Sequence, residues 1–182
     1  MNSSPTIAKK DTPLRRWLRN WGPALAWAVV IWIFSTELFN AARTGSFLYA
    51  ILRWLMPGIS ADTLQLIHGL VRKCGHFTEY FVFSLLVLRG IRGGRAGLRL
   101  AWNLAALAIA AAYASLDEVH QALVPSRTAS FFDVLINVSG ATAAQVIAAW
   151  INWRRSAALK AEFAPPAEIE PSRAADSGEP AD

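Results

Sequence analysis

Cysteine occurs once, at Cys74, so neither an internal disulfide nor a cysteine-based metal cluster can form. Charge is also scarce. Asp, Glu, Lys and Arg make up 17% of the 182 residues, where soluble domains carry about a quarter. Three stretches carry no charge at all: residues 20–36, 100–116 and 134–153. Each is near the ~17–25 residues that a helix needs to cross a bilayer. None has the polar stripe at helical period that a soluble surface helix shows, which argues against a soluble bundle. Also missing are an H-E-x-x-H pair, a G-x-S-x-G elbow and a glycine-rich phosphate loop leading into a helix, so no familiar hydrolase or nucleotide motif is present.

Hydrophobic residues make up 54% of the chain, and its formal charge is +5. The last 23 residues hold two bases against six acids, or −4, which leaves +9 on the rest. The bases gather at the ends of apolar runs, where they set topology. They form no continuous patch of the kind that grips nucleic acid, so nucleic acid is not expected as a partner.

Residues 1–20 read as a basic arm, with Lys9, Lys10, Arg15, Arg16 and Arg19. The apolar run from Trp21 follows at once. It reads as an uncleaved first span, because no small-x-small cleavage site follows Phe34. Within residues 40–72, Phe47, Leu48, Ile51, Leu52, Trp54 and Leu55 mark an amphipathic segment with Arg53 on its polar side. Pro57 and Gly58 interrupt it, and an interfacial position suits it. Ser60 or Asp62 can cap a helix starting near Thr63.

The second span is short. From Cys74 to Leu88 a helix covers only ~22 Å, against a hydrocarbon core of ~30 Å, so it is expected to begin upstream, near Leu64. An alanine-rich third span is expected over 98–116, a polar loop over 117–130, and a fourth span from Phe131 to the Trp150 and Trp153 pair. Gly140 and Ala144 form a small-xxx-small face on the last. Trp17, Trp21, Trp54, Trp150 and Trp153 read as interface anchors, His68 as interfacial and Cys74 as a packed small residue.

The expected fold class is therefore all-α: an integral membrane bundle of about four transmembrane helices with an additional interfacial helix. It divides into a basic cytoplasmic arm (1–20), a transmembrane domain (21–155) and an acidic, disordered cytoplasmic tail (156–182). Orientation follows from the loops. The N-terminal arm, the loop with Arg89, Arg92, Arg95 and Arg99, and the segment with Arg154, Arg155 and Lys160 are basic, whereas the loop between the third and fourth spans holds only Arg127. Both termini are expected in the cytoplasm.

Ionisable residues inside spans are costly, and are usually paired or functional. Here they are concentrated. Lys73, His76, Glu79 and Tyr80 recur at i, i+3, i+6 and i+7 along one helical face. Asp117, Glu118, His120 and Gln121 end the third span, with Asp117 facing His120 and Gln121 at i+3 and i+4. Asp133, Asn137 and Gly140 follow at i, i+4 and i+7, with Arg127 in the loop before them and Glu37 at the end of the first span. Under the expected orientation all of these fall at one non-cytoplasmic level.

The segment Lys73-Cys-Gly-His76-Phe-Thr-Glu79-Tyr80 resembles the K-x-x-H-x-x-E-Y motif of the VanZ-like membrane proteins. Asp117-Glu118-Val-His120-Gln121, followed by Arg127, Asp133, Asn137 and Gly140, resembles that family's second block. The resemblance covers about residues 73–140. It implies a small multi-helix protein of the bacterial cell membrane (inner or cytoplasmic), in a family named for glycopeptide (teicoplanin-type) resistance.

Three readings of the polar set stay open. In the first, Lys73 and Arg127 neutralise Glu79, Asp117, Glu118 or Asp133 in a structural network. In the second, Lys73 and Arg127 meet the phosphate or carboxylate of an envelope ligand, while Glu79, Asp117, Glu118 and Asn137 meet its hydroxyls, amides or amines. That ligand would be a lipid headgroup, a cell-wall precursor or a glycopeptide. In the third, the protein is an enzyme acting on a lipid-linked substrate. His76, Glu79, Asp117, Glu118 and His120 would then hold a divalent cation, or His120 would act as a general base oriented by Asp117. A proton-coupled transporter ranks below these, since four helices are few for a transport path.

Overall fold

The computed structural model describes residues 11–36, 41–97, 99–125 and 130–162, with the side chains of 41–44, 160 and 161 outside the description. Five helices make up the fold, and no strand occurs among the described residues: α1 (Pro13–Phe34), α2 (Ala41–Leu55), α3 (Ala61–Arg92), α4 (Leu100–Ala122) and α5 (Phe131–Glu162).

Local chemistry sets most of the boundaries. Thr12 caps α1 by accepting the Arg15 N–H at 3.3 Å, and Pro13 stands at the first helical position, where its missing N–H costs nothing. The basic arm is thus helical from Pro13 onward. Its Arg15 and Arg19 both pair with Asp11. Ser60 caps α3 through the Thr63 N–H at 3.2 Å, and Gly93 ends it in the left-handed region at φ 56°, a conformation natural to glycine. Helix α3 is therefore continuous from Ala61. Its 32 residues reach about 48 Å.

Two expected boundaries are corrected. Helix α4 runs through Asp117–Gln121 to Ala122, so that block is helical and the loop is shorter than 117–130. No proline or glycine interrupts this run before Pro125. Helix α5 continues to Glu162, seven residues into the segment read as a disordered tail; residues 163–182 lie outside the description. Cys74 is exposed, not packed.

Helix α3 is the centre of the bundle, packing against α1, α4 and α5, while α4 also packs on α5 and α2 rests on the start of α3. Helices α3 and α5 run parallel, with Arg72 near Asp133 and Ser84 near Ala141. Helix α1 runs antiparallel to α3 and parallel to α4; the Tyr113 hydroxyl donates to the Ala28 carbonyl at 2.7 Å, and the Trp27 indole to the Glu79 carbonyl at 2.9 Å.

In the core, small residues face large ones. Ala106, Ala110 and Ala114, each fully buried and one turn apart, accept Tyr80, Phe83 and Val87 from α3. A polar clamp ties three helices lower down. The Gln145 amide donates to the Ser84 hydroxyl at 2.7 Å and the Ser84 carbonyl at 3.1 Å, and the Asn103 amide donates to the Gln145 carbonyl at 3.2 Å. The outer surface is apolar as well: Leu25, Val29, Leu104, Leu116, Val146 and Trp150 are all exposed.

By length and hydropathy, α4 and residues 131–159 of α5 qualify as membrane spans. Helix α1 falls short because Arg19, Asn20, Pro23 and four tryptophans dilute its aliphatic run. Helix α3 falls short because Arg72, Lys73, His76 and Glu79 interrupt it.

The α3–α5 crossing leaves no room for a side chain. A Cβ on Gly140 would lie 2.2 Å from the Phe77 carbonyl oxygen, whereas a Cβ on Gly75 would meet nothing within 4 Å. Gly140→Ala is expected to cost about 1–3 kcal/mol by overpacking, and Gly75→Ala to be neutral or slightly stabilising. Thermal melting of both variants in detergent reads the contrast. Equal melting temperatures would show that the helices separate at no cost.

Candidate functional site

The end of the bundle where α1 and α4 finish and α3 and α5 begin is polar and buried. Its hub is Asp117, 3% exposed. The Ser35 hydroxyl, at the C-terminal cap of α1, donates to its Oδ1 at 2.5 Å. The Gln121 amide donates to its Oδ2 at 3.1 Å and to the Ser35 oxygen at 3.3 Å. The 2.5 Å separation is at the short end of the O–H···O hydrogen-bond range. Tyr80 is wholly buried and within electrostatic reach of Asp117.

Beside the hub, Glu118 is 7% exposed and accepts the Ser130 N–H on one oxygen, which fastens the chain entering α5 to the end of α4. Asp133 and Arg72 lie within its electrostatic reach. Those two form an ion pair at 3.8 Å, the only pair among the described residues that joins two of the long helices. Asn137 follows Asp133 by one turn and is completely buried.

The arrangement therefore unites His76, Tyr80, Asp117, Glu118, Gln121, Asp133 and Asn137 at one end of the bundle. Lys73 does not join them. It is exposed, and the base that meets Asp133 is its neighbour Arg72. Glu79 is half-buried, and its carbonyl receives the Trp27 indole. His120 does not pair with Asp117. Its ring stacks on Trp32 with centroids 3.8 Å apart, its Nδ1 makes no hydrogen bond, and both Asp117 oxygens are taken by Ser35 and Gln121. A base at His120 oriented by Asp117 is thus not built here. Arg127 and Glu37 lie outside the described residues. Among the described residues, no three His, Cys, Asp or Glu side chains gather to hold a metal ion. His68 sits against Tyr49 and Gly45 on α2, away from this cluster.

Four participants were not legible as such. These are Arg72, Ser35 and Trp32, none of which carries a motif, and Ser130, which contributes only its backbone. A signal exists for Arg72 alone: it precedes His76 by four residues and Tyr80 by eight, so it continues their stripe.

An all-α bundle with a buried carboxylate hub at one end, and two helices apolar enough to cross a membrane, defines the class. The chain belongs to the VanZ/LLP1 family, whose model matches residues 21–152. No curated protein and no solved structure matches the chain.

If the hub holds α1 to α4, Ser35 and Asp117 must be energetically coupled. A double-mutant cycle with Ser35→Ala and Asp117→Asn, read by melting in detergent, is expected to give about 1.5–3 kcal/mol, as for a hydrogen bond to a charged group. Additive losses would mean that the contact contributes nothing of its own.

Proposed function

We propose that this VanZ-like chain is a multi-pass protein of the bacterial cell membrane that binds a polar or charged envelope ligand at its polar end. Helices α1, α3, α4 and α5 cross the bilayer, α2 lies in the outer interface, and both termini are cytoplasmic. The ligand is a lipid headgroup, a cell-wall precursor or a glycopeptide, the last giving a link to glycopeptide resistance. Support for the membrane comes from the apolar outer surface, which far exceeds the patches a soluble monomer exposes. The arginines at 89, 92, 95 and 99 lie at the opposite end from the cluster, as a cytoplasmic loop requires.

One observation carries the binding reading. Buried polar atoms from three helices lack hydrogen-bond partners at the same end: both amide atoms of Asn137, Oε2 of Glu118 and Nε and Nη2 of Arg72. Single oxygens of Asn103, Gln121 and Gln145 also lack a partner; what sets this group apart is that unpaired donors and acceptors from three helices stand together. Groups left open together, beside an Arg72 side chain that is partly exposed, are the groups a ligand completes.

Two measurements test this reading. Native mass spectrometry of the full chain extracted in mild detergent is expected to show retained envelope lipid or lipid-linked precursor. Asn137→Leu is expected to cut retention at least fivefold while leaving the melting temperature equal or higher, since no internal bond is lost. Retention unchanged in that variant would remove the site from ligand binding. For topology, on a Cys74→Ala background, Leu123→Cys is expected to react with a membrane-impermeant thiol reagent in intact cells. Arg95→Cys is expected to react only after permeabilisation. The reverse pattern would invert the orientation.

A further inference from the structure

The Arg72–Asp133 pair lies at the edge of the polar end, with side chains 32% and 15% exposed and the Nε and Nη2 atoms of Arg72 themselves buried. Its 3.8 Å separation is an ion pair but too long for a hydrogen bond. Nε and Nη2 of Arg72, two of the donors in its planar fork, therefore make no hydrogen bond, Nη2 being the atom that faces Asp133. That fork is shaped for an oxyanion.

The other wall has the opposite need. Glu118 receives the Ser130 N–H on Oε1, but its Oε2 has no donor, and the whole residue is 7% exposed. Asp133 faces it from α5. Asn137, one turn deeper and wholly buried, offers one unused donor and one unused acceptor.

A ligand that is only anionic would fill Arg72 and then meet Asp117, Glu118 and Asp133 as like charges. A ligand that is only cationic would fill the carboxylates and leave the Arg72 donors orphaned beside it. Neither completes the site. We infer, on the reading that this end binds a ligand, that it recognises a bipolar group: an oxyanion and a protonated primary amine a few bonds apart. The oxyanion, a phosphate or a carboxylate, sits on Arg72. The amine donates to Asp133 and to Oε2 of Glu118, with Asn137 beneath both. Two sources share this chemistry, the headgroup of an aminophospholipid and a soluble amino-phosphate or amino acid.

The test uses the full chain in detergent and lipids of identical acyl chains. Phosphatidylethanolamine carries both groups, phosphatidylglycerol lacks the amine, and phosphatidylcholine has a quaternary ammonium with no N–H to donate. Wild-type protein is expected to bind the first at least tenfold more tightly than either of the others. Glu118→Gln and Asp133→Asn are expected to reduce that preference at least fivefold, with phosphatidylglycerol binding equal or stronger. Arg72→Gln is expected to weaken all three. O-phosphoethanolamine distinguishes the sources. Displacement of the lipid at comparable concentration points to a soluble ligand, and failure to displace it points to the lipid.

Equal binding of the three lipids by wild-type protein would overturn the bipolar assignment without requiring any variant to fold. If that equal binding still depended on Arg72, the ligand site itself would stand. If no probe bound in an Arg72-dependent way, both the assignment and the site would fall.

Discussion

Helices α3 and α5 touch backbone to backbone where Gly140 faces the Phe77 carbonyl. That contact fixes how far one parallel helix can slide or rotate against the other. Above it, Asp133 lies opposite Arg72, and Asn137 turns into the interior. Below it, Gln145 reaches Ser84 and Asn103 reaches the Gln145 carbonyl. A bulkier residue at position 140 would push the helices apart and open both arrangements at once. The alanine face of α4 serves the same end, since Ala106, Ala110 and Ala114 let α4 approach the aromatic side of α3.

The polar end depends on a second fastening. Asp117 holds the C-terminal cap of α1 through Ser35 and its own next turn through Gln121, and Glu118 holds Ser130, the residue just before α5. Adjacent carboxylates thus close two different helix junctions. What they leave open is as informative. One Glu118 oxygen, the Arg72 donors and the Asn137 amide remain without partners in a place of low dielectric, where such groups are costly. Both oxygens of Asp117 are engaged, whereas Glu118 and Asn137 keep open groups.

Much of this was readable in residues alone. The uncharged runs marked helices α1, α4 and α5, and the hydrocarbon thickness required α3 to begin before Cys74. The spacing of Asp117 to Gln121, and of Asp133 to Asn137, placed each pair on one face. Their partners were less legible. Successive residues on a helix point about 100° apart, so Lys73 and Arg72 offer bases in two directions. The K-x-x-H spacing favours the wrong one. His120 and Gln121 both lie within one turn of Asp117, and nothing in their order says which turns inward. The ends of α4 and α5 were also misplaced, because charged residues read as loop whether a helix continues through them or stops.

Sequence alone therefore determined the helical class, the family and the crowding of ionisable residues into a few segments. The helical class and the crowding follow from composition and period, which are local properties, and the family from the ordered likeness of its two motif blocks. The tertiary structure alone decided that Arg72 meets Asp133, that Ser35 and Gln121 close on Asp117, and that His120 stacks on Trp32. It also decided which polar atoms stay unpaired. Those outcomes depend on helix rotation and register, and the rotation and register are set by a glycine with no side chain at a crossing 63 residues away in sequence from its partner.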